Sequence, residues 1–322
     1  MDNHFDAIVI GAGAAGLTAG IYLSRAKVNT LILNEGAIGG QMVLTHEIAN
    51  YPGVENISGY ELARTMKSQA QKFGCKIKSN LKITSMELNG EIKKVIINNK
   101  DVYTSDAVII ATGGKSRMIG AIGENEFKGK GISYCATCDG DFFQDKEIIV
   151  VGGGNSALEE AVSLTKYASK VTVVHQFDHF QAFEHYVDEA KKNDKISFIM
   201  ESKIIEFIGG EKLESVKIQN QATNEINEMK IDGVFIFIGY VPNTESLEGL
   251  IELNQWKEIV VDKDMKTNIN GVFAAGDSIQ KRYRQVTTAV ADGTIAALSA
   301  SDYINNLKKV EQNRLFNLQY GK

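Results

Sequence analysis

The chain runs twice through one plan, and that repetition restricts its fold more than any other feature. Residues 6–10 (DAIVI) form a short apolar run, followed at once by the glycine turn 11–16 (GAGAAG), a helical period over 17–25 and a second apolar run at 30–33. Much later the same order returns, with 147–151 (EIIVV), the turn 152–157 (GGGNSA), a helical period over 158–167 and 171–174 (VTVV). Strand, glycine turn, helix and strand within about 30 residues is the context in which a GxGxxG match points to a dinucleotide fold. The glycines let backbone approach a pyrophosphate, and the helix N-terminus supplies N–H groups and positive potential. Either turn alone is also compatible with an ordinary tight turn. The pair predicts an α/β chain with two Rossmann-like dinucleotide-binding domains. The acid expected at the end of the second strand of the first module, to hold a ribose, is displaced: Asn34 stands there and Glu35 follows.

The intervening segments predict how the two modules connect. Residues 39–41 read Gly-Gly-Gln and 50–53 Asn-Tyr-Pro-Gly, before a helical stretch at 60–73. Residues 76–103 alternate in short runs, as an antiparallel meander does, and lead into the buried strand 107–111 and Thr112-Gly113-Gly114. A second meander at 196–231 leads into another buried strand, 233–238. The segment 271–277 (GVFAAGD) then runs into a long helix expected over 284–307. The expected architecture is one module inserted in the other, with residues 1–116 and 244–322 outside and 117–243 inserted.

Two of the three cysteines lie in the stretch 133–140 (SYCATCDG), two residues apart, with an acid directly behind the second. Such spacing suits a small disulfide ring that opens to a dithiol, with Asp139 exchanging protons with the departing thiolate. A zinc site is the other use of the motif. It needs four ligands, yet no second pair exists and none of His4, His46, His175, His179 and His185 is near the pair in sequence. A purely structural disulfide gains little, because so short a ring removes little unfolded-state entropy. The favoured reading is a redox-active pair and no metal. Cys75 reads as an inert core residue.

The chain has 322 residues, 43% of them hydrophobic, enough for two cores. Its net charge of -5 leaves no electrostatic footprint for nucleic acid. No apolar run reaches the length of a membrane span, and residues 1–5 do not read as a signal peptide. Scarce cysteine fits a reducing compartment, so a cytoplasmic protein is expected. Only 2 prolines beside 30 glycines suggest nucleotide-binding turns rather than linkers.

The segments GAGAAG, GGQ, NYPG, ATG, CATCDG, GGGNSALEEA, GYVPNT and NGVFAAGDS occur in that order. Together they resemble the low-molecular-weight thioredoxin reductase family over nearly the whole chain, to about residue 307. The resemblance implies a three-layer ββα organisation in both modules and a homodimer. It implies FAD in the outer module and, on the inserted NAD(P)-binding-like module, a disulfide that shuttles between the flavin and thioredoxin. Carried over by residue, Cys138 would face the flavin, Cys135 would attack the partner's disulfide, and Asp139 would be the acid/base. Gly11, Gly13, Ala14, Ala15 and Gly16 match the pyrophosphate turn, with Asn34, Glu35 and Ile83 towards the adenosine half. Gly40, Gln41 and Asn50 match flavin-side contacts, and Thr112 and Gly113 the strand end. Gly276 and Asp277 match the ribityl-binding turn, and Arg284 and Gln285 lead the helix that meets the flavin.

The resemblance breaks at one place. NADPH-using members end the strand after the second glycine turn in His-Arg-Arg, with a further Arg, and these hold the 2′-phosphate through bidentate guanidinium contacts. Here the segment is His175-Gln176-Phe177-Asp178-His179-Phe180-Gln181, with Gln176, Phe177 and Gln181 at the cationic positions. Charge-assisted hydrogen bonds contribute about 1.5–3 kcal/mol each, so NADPH is not expected to be held at ordinary concentrations. No acid at the strand end serves NADH instead. Two donors compete: reduced ferredoxin, as in the ferredoxin-dependent flavin thioredoxin reductases, or NADPH or NADH held by unusual contacts. Ferredoxin is favoured. A plant-type ferredoxin near about -400 mV and thioredoxin near about -270 mV differ by about 130 mV, or about 6 kcal/mol for two electrons. A non-enzymatic flavin-bound redox sensor is the alternative of another class, and the intact Cys-x-x-Cys-Asp argues against it.

Two further stretches stand out. The tail 308–322 carries Leu315, Phe316, Leu318 and Tyr320, and Phe316 or Tyr320 covering the flavin or docking on a second subunit competes with a loosely held end. The cluster Phe177, His179, Phe180, Phe183, His185 and Tyr186 reads as a partner site or, preferably, as helix core with a solvated face.

Overall fold

The computed structural model describes residues 3–44 and 48–320. His46 and the tail side chains Leu315, Phe316, Leu318 and Tyr320 lie outside the described residues. The chain divides into two compact units, residues 1–115 with 242–322, and residues 116–241.

In the first unit the strand His4–Ile10 lies parallel between Thr30–Leu33 and Asp101–Ile110. Val272–Ala274 adds to the far side of Asp101–Ile110, and Lys76–Lys78 to the outer side of Thr30–Leu33. These strands are almost continuously apolar because both faces are covered. Ala7, Val9, Ile32 and Ile109 pack under the helix Ala14–Arg25 and the C-terminal helix Val286–Tyr320. Their alternates, Ile8, Ile10, Leu31, Leu33, Val108 and Ile110, pack against Met86, Val95, Ile97 and Tyr103 of the antiparallel meander. Asp101–Ile110 belongs to both layers: its first half pairs antiparallel with Lys93–Ile97, its second half parallel with His4–Ile10. The three-layer order is therefore written in a period of two.

The second unit repeats this construction. Its parallel sheet runs Ile196–Ile199, Lys170–Val174, Glu147–Val151, Gly233–Ile236, Ile132–Ser133. Ile148, Val150, Val171 and Val173 face the helix side with Leu158 and Ala161. Ile149, Val151, Val174 and Val234 face a separate three-stranded meander through Ile204, Phe207 and Val216.

The last helix is longer than the 284–307 expected, running from Val286 to Tyr320. Residues 308–320 contain neither Pro nor Gly and are rich in helix formers, so nothing stops the helix at 307. Lys308 Nζ, 2.9 Å from Asp6 Oδ1, ties that extension to the first strand. No helix among the described residues is long and apolar enough to cross a membrane.

The tightest point of the first unit is the turn itself. A Cβ on Gly16 would stand 2.0 Å from the Gly11 carbonyl oxygen, a backbone atom that cannot swing away. Gly16→Ala is expected to destabilise the protein by about 1–3 kcal/mol or more. Gly36→Ala, where nothing lies within 4 Å of an added Cβ, should stay within about 0.5 kcal/mol of the parent. Denaturant midpoints of the two variants measure the contrast.

Candidate functional site

The redox stretch leaves the edge strand Ile132–Ser133 of the second unit. Cys135 has extended backbone (φ -146°, ψ 104°) and caps the one-turn helix Ala136–Asp139, with Asp139 N donating to Cys135 O at 3.2 Å. One helical turn brings the two sulfurs to the same side. The Cα atoms of Cys135 and Cys138 are 5.3 Å apart and the residues are disulfide-bonded. Gly140 behind them is closely packed on Leu164 and Tyr167.

Asp139 is a half-buried acid whose carboxyl is pushed above the usual carboxylate range, first by loss of solvent and secondly by Asp141, while the Ser133 hydroxyl pulls it down. Ser133 Oγ lies 2.5 Å from Asp139 Oδ2 and 3.3 Å from Cys135 O, and accepts the Cys135 N–H at 3.1 Å. Tyr134 donates its hydroxyl to Glu124 Oε1 at 2.7 Å. Glu124 also accepts the N–H groups of Ile119 and Gly120. Burial and this carboxylate raise the Tyr134 hydroxyl far above its ordinary value, so it stays a donor. Cys75 is apart from this chemistry: it is buried, and burial pushes its thiol up to about 11.

In the first unit, most of the residues expected at a cofactor meet around the N-terminus of Ala14–Arg25. A Cβ on Gly11 (φ +104°) would fall 2.2 Å from Ala111 O, whereas one on Gly13 would have nothing within 4 Å. Gly11 and Gly16 are thus fixed by the protein's own backbone, and Gly13 opens onto free space that a ligand can fill. Gly40 lies against Gly13, and Gly276 against Ala15. Asn34 is turned inward: its Oδ1 accepts Ala12 N–H at 2.9 Å and its amide donates to Gly36 O and Ala37 O. Glu35 Oε1 accepts the Ile83 N–H at 2.8 Å. Asn243 fastens the strand end, its amide donating to Thr112 O and its N–H to Gly113 O. Gln41 is exposed on the turn Gly40–Leu44 and Asn50 on the loop 49–55. Arg284 forms an ion pair with Glu258. The Gln285 N–H donates to Thr288 Oγ1 and the Gln285 carbonyl accepts Ala289 N–H at the head of the long helix.

Two buried polar atoms on the segments packed against this turn have no hydrogen bond among the described residues, Thr112 Oγ1 and Asp277 Oδ1. Asp277 is raised by burial and drawn back by Lys281 and Arg284. Lys281 Nζ stands 3.8 Å from its Oδ1 while pairing with Asp292, which also accepts the Gly276 N–H at 3.2 Å. A carboxylate oxygen that accepts no hydrogen bond among the described residues, next to the open glycine turn, fits a polyhydroxylated diphosphate cofactor such as FAD.

The second turn has the same frame. Gly152 (φ +139°) is pressed on Phe237 O, and Gly154 is open. Between them Gly153 lies directly under the His175 ring, whose atoms would come 2.4–2.5 Å from an added Cβ. His175 is buried, its ring lowered in pKa by burial, and its Nε2 finds no partner among the described residues. The following loop folds back over the turn: Gln181 N–H donates to Gly153 O at 2.8 Å, and Phe183 N–H to Asn155 Oδ1 at 2.8 Å. Gln176, Phe177 and Gln181 put no cation there. The aromatic cluster divides, with Phe180 and Tyr186 packed on the core and Phe183 67% exposed. Among the described residues no three His, Cys, Asp or Glu side chains converge as metal ligands would.

Four features escaped the sequence reading: Ser133 beside Asp139, the Tyr134–Glu124 bond, the Lys281–Asp292 pair and the seating of His175 on Gly153. A serine two residues before a helix cap was a signal for the first, and the third consecutive glycine for the last.

The family described as pyridine nucleotide-disulphide oxidoreductase matches residues 5–293. The thioredoxin reductase of Peptoclostridium acidaminophilum is 46% identical over 311 residues, covering 94% of this chain and 98% of that protein. A protein of Clostridium pasteurianum described as a 34.2 kDa protein in the rubredoxin operon is 45% identical over 303 residues, covering 94% and 98%. The crystal structure of thioredoxin reductase from Streptococcus pyogenes superposes with a TM-score of 0.92 at 41% identity, covering 95% of this chain and 100% of that one. With identity of this order carried along almost the full length of its relatives, the chain belongs to the low-molecular-weight thioredoxin reductase family.

Proposed function

We propose that this protein is a flavoprotein disulfide reductase that passes two electrons through Cys135–Cys138 to thioredoxin, with reduced ferredoxin as the donor. The observation that carries the disulfide chemistry is the Cys135–Cys138 bond with a half-buried acid directly behind it. FAD, when bound, would supply the two-electron relay between the donor and the disulfide. The open space at Gly13, the turn formed by Gly11, Ala14, Ala15 and Gly16, and the unsatisfied Asp277 and Thr112 oxygens would hold it. Once the pair is reduced, Cys135 attacks a sulfur of the thioredoxin disulfide and Cys138 displaces it from the mixed disulfide, restoring the protein's own bond. Asp139 supplies and recovers the proton. Its raised pKa keeps it protonated to higher pH than an exposed acid, as a general acid requires. A homodimer in the cytoplasm is the matching assembly and place.

The donor assignment rests on Gln176, Phe177 and Gln181, which offer a 2′-phosphate no charge. A second reading has one observation in its favour. Gly154 keeps the open position of a dinucleotide turn, which supports NADH or NADPH held without the phosphate contacts.

An anaerobic titration separates the two. The flavin band should resist micromolar NADPH and NADH, bleach with reduced ferredoxin, and recover on adding oxidised thioredoxin; rapid bleaching by NADPH selects the second reading. Restoring arginine at 176, 177 and 181 should add about 1.5–3 kcal/mol per contact, about tenfold or more each in NADPH affinity. Asp277→Ala should weaken FAD about tenfold or more, read by flavin fluorescence on reconstituting the apoprotein. Serine at both 135 and 138 should abolish thioredoxin reduction while the protein stays yellow.

A further inference from the structure

We infer that Ser133 is a positioning residue for Asp139, its hydroxyl switching between the carboxylate and the Cys135 carbonyl as the acid gives up and regains its proton. The inference rests on the disulfide-reductase reading above. A serine hydroxyl has one proton and two lone pairs. Here one lone pair is fixed by the Cys135 N–H at 3.1 Å, which pins the oxygen beside the redox pair. The proton has two acceptors within reach, Asp139 Oδ2 at 2.5 Å and Cys135 O at 3.3 Å. When Asp139 is ionised the hydroxyl donates to it. When Asp139 is protonated, its O–H donates to the Ser133 oxygen and the hydroxyl turns to the Cys135 carbonyl. Both states are hydrogen-bonded, so the acid changes charge in a buried site without leaving a polar group unmatched. Among the described residues, the other charged group that acts on Asp139 is Asp141, which opposes ionisation. Ser133 thus offsets burial and like charge.

The step is balanced as follows for a small dithiol. Its thiolate attacks one sulfur of the Cys135–Cys138 bond, and the other sulfur departs and takes the proton of Asp139. The reagent's second thiol then closes on the mixed disulfide, leaving an oxidised cyclic disulfide and two protein thiols. Expressed per reagent thiolate, the rate is constant while Asp139 is protonated and falls as pH rises through its pKa. A donor to the carboxylate lowers that pKa, so removing it moves the fall upward.

The test follows reduction of the holoprotein by dithiothreitol across pH, quenching with an alkylating reagent and counting labelled Cys135 and Cys138 by mass spectrometry. No ferredoxin or thioredoxin is needed. In Ser133→Ala the midpoint of the fall should move up by about one pH unit or more. Ser133→Thr, which keeps the hydroxyl, should hold the wild-type midpoint, and Asp139→Asn should lose the fall. An Ala variant with a lower melting temperature and an unmoved midpoint makes Ser133 merely structural and overturns the inference, as does a Thr variant shifted like Ala. A wild-type disulfide that dithiothreitol cannot open removes the disulfide-reductase reading itself, and the inference with it.

Discussion

Close contact of backbone with backbone at the two glycine turns is the constraint on which the structure depends. In the first unit the carbonyl of Ala111 occupies the place where a side chain on Gly11 would project, and the carbonyl of Gly11 does the same at Gly16. In the second unit Phe237 O excludes a side chain at Gly152. Only glycine permits the chain to leave a central strand, reverse tightly and start a helix on top of its own sheet. Where that helix lands fixes which face of the sheet is left for the meander, and the alternation of Val9 and Ile10, or Val150 and Val151, follows from it.

The same turns leave one glycine in each unit, Gly13 and Gly154, with nothing against it. Space in front of backbone N–H groups at a helix N-terminus favours a diphosphate. The two units differ in what surrounds the opening. On the segments packed against the first turn stand Thr112, Asp277 and the Lys281–Asp292 pair. Around Gly154 the chain's own loop is fastened by Gln181 and Asn155, and Gln176, Phe177 and Gln181 stand at the positions where arginines were expected.

Much of this was legible in the residues. The glycine spacings, the apolar runs beside them and the CATCDG stretch report local chain geometry, which sequence encodes directly. The long helix was expected over 284–307 and runs instead from Val286 to Tyr320, because no proline or glycine between 308 and 320 interrupts it. Asn34 and Glu35 were legible as polar residues at the correct place. That Asn34 also receives the Ala12 N–H, and that Glu35 receives the Ile83 N–H, depends on segments far apart in the chain.

The sequence by itself determined the double α/β plan, the nesting of one run of elements in the other and the residues able to carry redox chemistry, since these follow from period, glycine position and cysteine spacing. Only the tertiary structure decided the electrostatics. Burial, which no local pattern expresses, raises Asp139 and Asp277 above their ordinary range. Neighbours brought in by folding, Ser133 at one acid and Lys281 from beyond the turn at the other, determine how far each can ionise, because a charge in a poorly solvated site is governed by the few groups within hydrogen-bonding reach.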